Sequence, residues 1–155
     1  LDHLTLADDD QRLLRRTFAL ARFARNQGNA PFGALCARPD GSVAAEGENS
    51  EGEAQGDLTC HAEMNAIRNA SREWSAPSLT TLTLFASCEP CPMCAGAIAL
   101  SGIKRVIFGA SAQSAAHLGR SPNLVGCRQV FSLLGLPVEV VGPALEEEAL
   151  QLLRL

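Results

Sequence analysis

The chain has 155 residues, 46% hydrophobic and 19% charged, the length and balance of one globular domain (1–155) that buries a core without staples. Its apolar stretches are too short to span a bilayer, the one around Ile98-Ala99-Leu100 being interrupted by Ser101, Gly102 and Lys104. A net charge of -4 argues against a partner held through many phosphates, which needs clustered Lys and Arg.

In chain order, Asp8-Asp9-Asp10 precedes an apolar stripe at helical spacing, Leu13, Leu14, Phe18, Ala21 and Phe23-Ala24, which predicts a first helix from Asp9 to Asn26. Arg12, Arg15, Arg16, Arg22 and Arg25 read as its solvated side. Gly28 and Pro31 stop it. The segments 32–37 and 42–45, joined across Asp40-Gly41, read as a hairpin. From Glu46 to Asp57 the chain is polar and Gly-rich and reads as a surface loop. Cys60 to Arg72 has a helical pattern with His61 and Glu63 in its first turn. Leu79 to Ala86 reads as a buried strand leading through Pro90 into a helix from Cys91 to Leu100.

A strand over 105–109 is followed by a small-residue stretch from Ala110 to Asn123, a helix over 126–134, a strand over 138–141 and a last amphipathic helix from Leu145. Strands alternating with helices in this order predict a three-layer α/β domain, a sheet covered by helices on both faces. The acidic residues 1–10 lack the basic-then-apolar order of a secretion leader, and three of the six cysteines fall at 88, 91 and 94. That usage suits metal ligation in a reducing compartment, so a cytoplasmic protein without structural disulfides is expected.

The sequence His61-Ala62-Glu63, answered by Pro90-Cys91-Pro92-Met93-Cys94, carries the chemistry. One imidazole and two thiolates fill three positions of a tetrahedral zinc (Zn2+) site and leave a fourth for water, with Glu63 spare as a proton acceptor. Residues three apart share a helix face, so Cys91 and Cys94 reach one ion, and helix N-termini favour thiolate. The competing arrangement is a closed structural site in which Cys88 is the fourth ligand. It leaves Glu63 without a task, and the full H-x-E and P-C-x-x-C pattern favours catalysis. An iron–sulfur cluster lacks a fourth suitably spaced cysteine.

Thr59-Cys60-His61-Ala62-Glu63, together with Ser87-Cys88-Glu89-Pro90-Cys91-Pro92-Met93-Cys94, resembles the cytidine-deaminase-like superfamily, in its branch of guanine, cytosine and tRNA adenosine deaminases. Pro31-Phe32-Gly33-Ala34 and the segment 103–110 extend the resemblance. It implies an α/β/α sandwich on a mixed five-stranded sheet and hydrolytic removal of an amino group, with His61, Cys91 and Cys94 on zinc and Glu63 shuttling protons. It further implies substrate contacts from Asn49, the backbone of Ala62, Glu89 and Phe32, and a homodimer. On residue type alone Asn49 is equally a turn asparagine and Phe32 a core residue.

Guanine deaminases of this branch often place an acidic residue after the strand that ends here at Phe108-Gly109, where Ala110 to His117 has none. Gln113, Ser114, His117 or one of Glu146, Glu147 and Glu148 is then the candidate replacement. The charge favours a free nucleobase, guanine first, with cytosine, a nucleoside or a tRNA adenosine as alternatives, no nucleic-acid partner being expected.

Overall fold

In a computed structural model that describes residues 6–53, 55–73, 79–122 and 125–154, Asp8-Asp9-Asp10 opens helix α1 (Asp8–Asn26) and compensates the positive end of its dipole. The stripe Leu13, Leu14, Phe18, Ala21 and Ala24 is buried, while Phe23, also expected in it, is exposed; Arg15 and Arg16 reach outward to Glu148 and Glu46. Residues 1–5 of the acidic start, Asn123 and Leu155 lie outside the described residues. No helix among the described residues is long and apolar enough to cross a membrane.

Strands β1 (Gly33–Ala37) and β2 (Val43–Glu48) pair antiparallel through a turn in which the Asp40 carboxylate accepts from the Ser42 amide at 2.9 Å. The second strand runs three residues beyond the expected loop boundary: Glu46, Gly47 and Glu48 pair with Leu35, Ala34 and Gly33. Their polarity conceals the strand. β2 is an edge, and the Asn69 and Asn65 amides of helix α2 (Ala62–Glu73) donate to the Glu46 and Glu48 carbonyls at 2.8 Å each.

Strand β3 (Thr83–Cys88) begins four residues later than expected and ends two later. Leu79 and Leu82 are buried, yet the Leu82 amide donates back to the Leu79 carbonyl, so apolarity there serves a turn. Helix α3 (Pro92–Ser101), strand β4 (Arg105–Ala110), helices α4 (Ala112–His117) and α5 (Cys127–Leu134), strand β5 (Glu139–Val141) and helix α6 (Glu146–Leu153) complete the order. Helix α4 occupies part of the stretch left unstructured by sequence. Its small residues Ala112 and Ala115 are buried, and the Ser111 hydroxyl caps it by accepting from the Ser114 amide.

The sheet order is β2-β1-β3-β4-β5, antiparallel in its first two pairings and parallel in its last two. Side chains alternate along each inner strand. Ala34, Cys36, Leu84, Ala86, Val106 and Phe108 face a core shared with α2, α3 and α5; Leu35, Phe85 and Ile107 face one shared with α1 and α6. This is the expected three-layer α/β/α sandwich.

Close approach at one glycine places the site. A Cβ on Gly47 would collide with the Ala62 carbonyl and the Ala66 amide, so the absence of a side chain lets the first turn of α2 settle directly on β2. That brings the start of α2 beside the start of α3, which follows the end of β3.

Candidate active site

His61 immediately precedes α2, which begins at Ala62 rather than at Cys60; the His61 carbonyl accepts from the Asn65 amide at 3.0 Å. Cys91 is the N-cap of α3, Pro92 occupies the first turn at no hydrogen-bonding cost, and Cys94 lies one turn on. The two helix starts converge. His61 Nδ1 is 3.6 Å from each of the Cys91 and Cys94 Sγ atoms, and the three donor atoms lie within 4.8 Å of one another. Zinc at about 2.1 Å from nitrogen and about 2.3 Å from sulfur requires a nitrogen–sulfur separation of about 3.6 Å at the tetrahedral angle. The donor set therefore fits zinc.

Cys88 stays out of this group: it ends β3, is buried, and burial pushes its thiol well above the ordinary range. Three ligands with a free fourth position is the arrangement of a catalytic site, and the closed Cys₃His alternative lacks its fourth donor among the described residues. The hydrogen bond from Cys94 holds the Cys91 thiol down at about 4, with His61 adding to the effect. The same bond, with burial, raises Cys94. The hydrogen bond to Cys91 raises His61.

Glu63, in the first turn of α2, is only 5% exposed. Burial pushes its carboxyl up to about 7, outweighing a hydrogen bond from Cys94. A carboxyl poised near neutrality takes and returns protons with little penalty in either direction.

The site opens into a cavity of about 540 Å³ lined by Phe32, Leu58, Ala62, Glu63, Glu89 and Met93, with Glu51, Cys88 and the segment 120–122 also on its wall. Phe32 and Ala62, two of the expected substrate contacts, are on this wall. Asn49 is 1% exposed and does not line the cavity. Its Nδ2 donates to Glu51 Oε1 at 2.9 Å and its Oδ1 accepts from the Glu51 amide at 3.1 Å.

Glu89 is on the wall, but its two oxygens accept from the backbone amides of Ala112 at 3.0 Å and Cys127 at 2.7 Å, tying the starts of α4 and α5 to the end of β3. The candidates for an acidic replacement lie elsewhere. Glu146 accepts from the Ser111 amide at 2.9 Å, Glu147 pairs with Arg154 and Glu148 with Arg15. Gln113, Ser114 and His117 line a separate cavity of about 310 Å³.

Glu51 escaped the sequence reading. Its Oε1 is 3.2 Å from His61 Nε2, yet it lies ten residues earlier in a polar loop without periodicity, so no spacing rule connects the two. The cavity residues Leu58 and Arg120, also outside any periodic segment, went unnoticed for the same reason.

Residues 7–110 match the family model described as the cytidine and deoxycytidylate deaminase zinc-binding region. A probable cytosine deaminase of Schizosaccharomyces pombe is 35% identical over 150 residues, covering 94% of this chain and 90% of its own. A tRNA-specific adenosine deaminase of Haemophilus influenzae is 38% identical over 110 residues, 71% of this chain and 63% of the relative. The X-ray structure of a guanine deaminase from Bacillus subtilis superposes with a TM-score of 0.66 at 39% identity, covering 72% of this chain and 70% of that one. The motif, the open three-ligand geometry and these similarities converge on one statement: the chain belongs to the cytidine and deoxycytidylate deaminase zinc-binding family and is a zinc-dependent hydrolase that removes amino groups.

Proposed function

We propose that the substrate is a free nucleobase or a related aminated heterocycle, guanine first, and that its hydrolysis releases ammonia. The character of the cavity carries this reading. Its described wall combines apolar surface from Ala30, Phe32, Leu58, Pro92 and Met93 with three carboxylates, Glu51, Glu63 and Glu89, against the single guanidinium of Arg120. A flat, neutral ring gains from such walls, whereas a phosphate-rich strand meets like charge. The similarity to a guanine deaminase over most of the chain supports guanine as first choice, and that to a probable cytosine deaminase supports cytosine next.

His61, Cys91 and Cys94 would hold the zinc, which supplies Lewis acidity and lowers the pKa of a bound water. Glu63 would hold the proton given up by the attacking water, pass it to the ring nitrogen next to the amino-bearing carbon, and then assist protonation of the departing amine. Ala62, first residue of α2, has a backbone N–H without an intrahelical partner to offer the substrate. Phe32 supplies a wall. Asn49 and Glu89 are proposed as substrate-binding, as the resemblance implies, and they also hold Glu51 and the starts of α4 and α5.

Ammonia release from guanine, cytosine, adenine, their nucleosides and a tRNA anticodon stem-loop tests the choice. Turnover of free guanine is expected. Turnover of the stem-loop alone, with binding that weakens steeply in salt, would replace it with the tRNA reading, which the Haemophilus influenzae relative supports.

Residues 1–155 are read as one deaminase domain. The homodimer is proposed on Leu100 and Leu133, 81% and 88% exposed on the packed helices α3 and α5; a concentration-independent monomer in sedimentation would remove it. The six free thiols suit a reducing compartment such as the cytoplasm.

A further inference from the structure

We infer that Glu51 is a positioning residue for the metal centre, holding the His61 ring so that Nδ1 faces the ion, with its own place in the loop fixed by Asn49 and Asn29. The inference rests on the zinc site and is independent of which base is the substrate.

An imidazole ligates through a nitrogen that carries no proton, so the other nitrogen must carry one and needs an acceptor. Here Nδ1 is directed at the two thiols, 3.6 Å from each sulfur, while Nε2 lies 3.2 Å from Glu51 Oε1. A carboxylate in ion-pair contact with Nε2 favours a proton on that nitrogen by its charge, which leaves the Nδ1 lone pair to the metal.

A mobile surface glutamate would not achieve this, but Glu51 is fixed from several sides. Its amide donates to Asn49 Oδ1 at 3.1 Å, its Oε1 accepts from Asn49 Nδ2 at 2.9 Å, and its carbonyl accepts from the Gly56 amide at 2.9 Å. The next amide, Gly52, donates to Asn29 Oδ1 at 2.9 Å; any Cβ on Gly52 would come within 2.6 Å of that oxygen. Asn49 and Asn29 are themselves 1% and 8% exposed. A simple asparagine turn would need only the bond from the Glu51 amide to the Asn49 side chain. It would not require the Glu51 carboxylate, with water within reach, to fold back onto Asn49 and His61 together.

The test uses the full chain and zinc alone. Affinity is measured by competition with a chromogenic chelator, and the ring tautomer of His61 by nitrogen-15 NMR of the zinc-loaded protein. Wild type is expected to show Nε2–H with Nδ1 ligated. Glu51→Ala is expected to lower zinc affinity by about 10–100-fold, the usual cost of removing a partner behind a ligand. Glu51→Gln, whose carbonyl still accepts from Nε2–H, should recover part of that loss. Thermal melting of the zinc-free proteins should match for wild type and Glu51→Gln and fall for Glu51→Ala, which strands the buried Asn49 amide, so the recovery of affinity in Glu51→Gln is read at unchanged fold stability. Unchanged affinity in Glu51→Ala, equal losses in the Ala and Gln variants, or ligation through Nε2 in the wild type would overturn the inference. Loss of guanine turnover with normal zinc affinity would bear on the substrate reading instead.

Discussion

Glu63 and Glu89 both line the cavity and both stand where a helix meets the sheet, yet their surroundings treat them oppositely. Glu89 gives its oxygens to the amides of Ala112 and Cys127 and thereby fastens α4 and α5 to β3. Glu63 is enclosed with burial dominating its environment, and its proton affinity rises to about 7. The same functional group is a fastener where backbone donors saturate it, and where burial dominates it keeps a proton up to near neutrality. The corner built by α2 and α3 keeps polar atoms unsaturated for chemistry; the corner built by α4, α5 and α6 consumes them, Glu146 included.

The most severe break removes the ion itself. Cys94→Ala deletes one of three protein ligands, so zinc content after dialysis should fall to near zero and turnover with it. Glu63→Gln should keep full zinc content by metal analysis while slowing turnover by about 10²- to 10⁴-fold, the range for a lost general acid–base group. Near-normal turnover would show that Glu63 is a fastener like Glu89.

Titration sharpens the contrast. In the zinc-free protein the folded pKa of Glu63 lies above its ordinary 4.5, so the native state binds more protons than the unfolded state between about 4.5 and about 7. Its contribution is therefore fully present below 4.5 and lost as pH rises through 7, by about 3 kcal/mol at 1.36 kcal/mol per unit. Urea melts of wild type against Glu63→Gln should show this difference.

Glu89→Ala should leave zinc bound and cost about 1–3 kcal/mol by stranding two amides, read as a fall in melting temperature of several degrees. The smallest expected effect is that of Cys88→Ala on the metal: zinc content should be unchanged, and loss of the ion would return Cys88 to the ligand set.

Much of this molecule was legible before its coordinates. The stripe of α1, the Asp40-Gly41 turn between β1 and β2 and the Cys91 and Cys94 spacing are local patterns, imposed by a period of 3.6, by turn chemistry or by the reach of one helix turn. The misses share a cause. Glu46-Gly47-Glu48 carries no apolar signature because asparagines of α2, remote in sequence, cover that edge. Leu79 and Leu82 imitate a strand because burial does not depend on extended backbone. The partners of Asn49 and Glu89 lie in a loop and at two helix starts, where no local pattern reveals them.

What the sequence determined by itself, then, is the set of groups that chemistry requires: one imidazole, two thiolates and an idle carboxylate at helix starts, with the periodicities of a layered α/β fold. Only the tertiary structure decided which groups stay free. The packing of α2 on Gly47 brings His61 onto the thiols, the loop from Asn49 turns Glu51 to its outer nitrogen, and the ends of α4 and α5 consume Glu89. Ligand type is a property of a residue, but saturation and burial belong to its neighbours, and those come from distant parts of the chain.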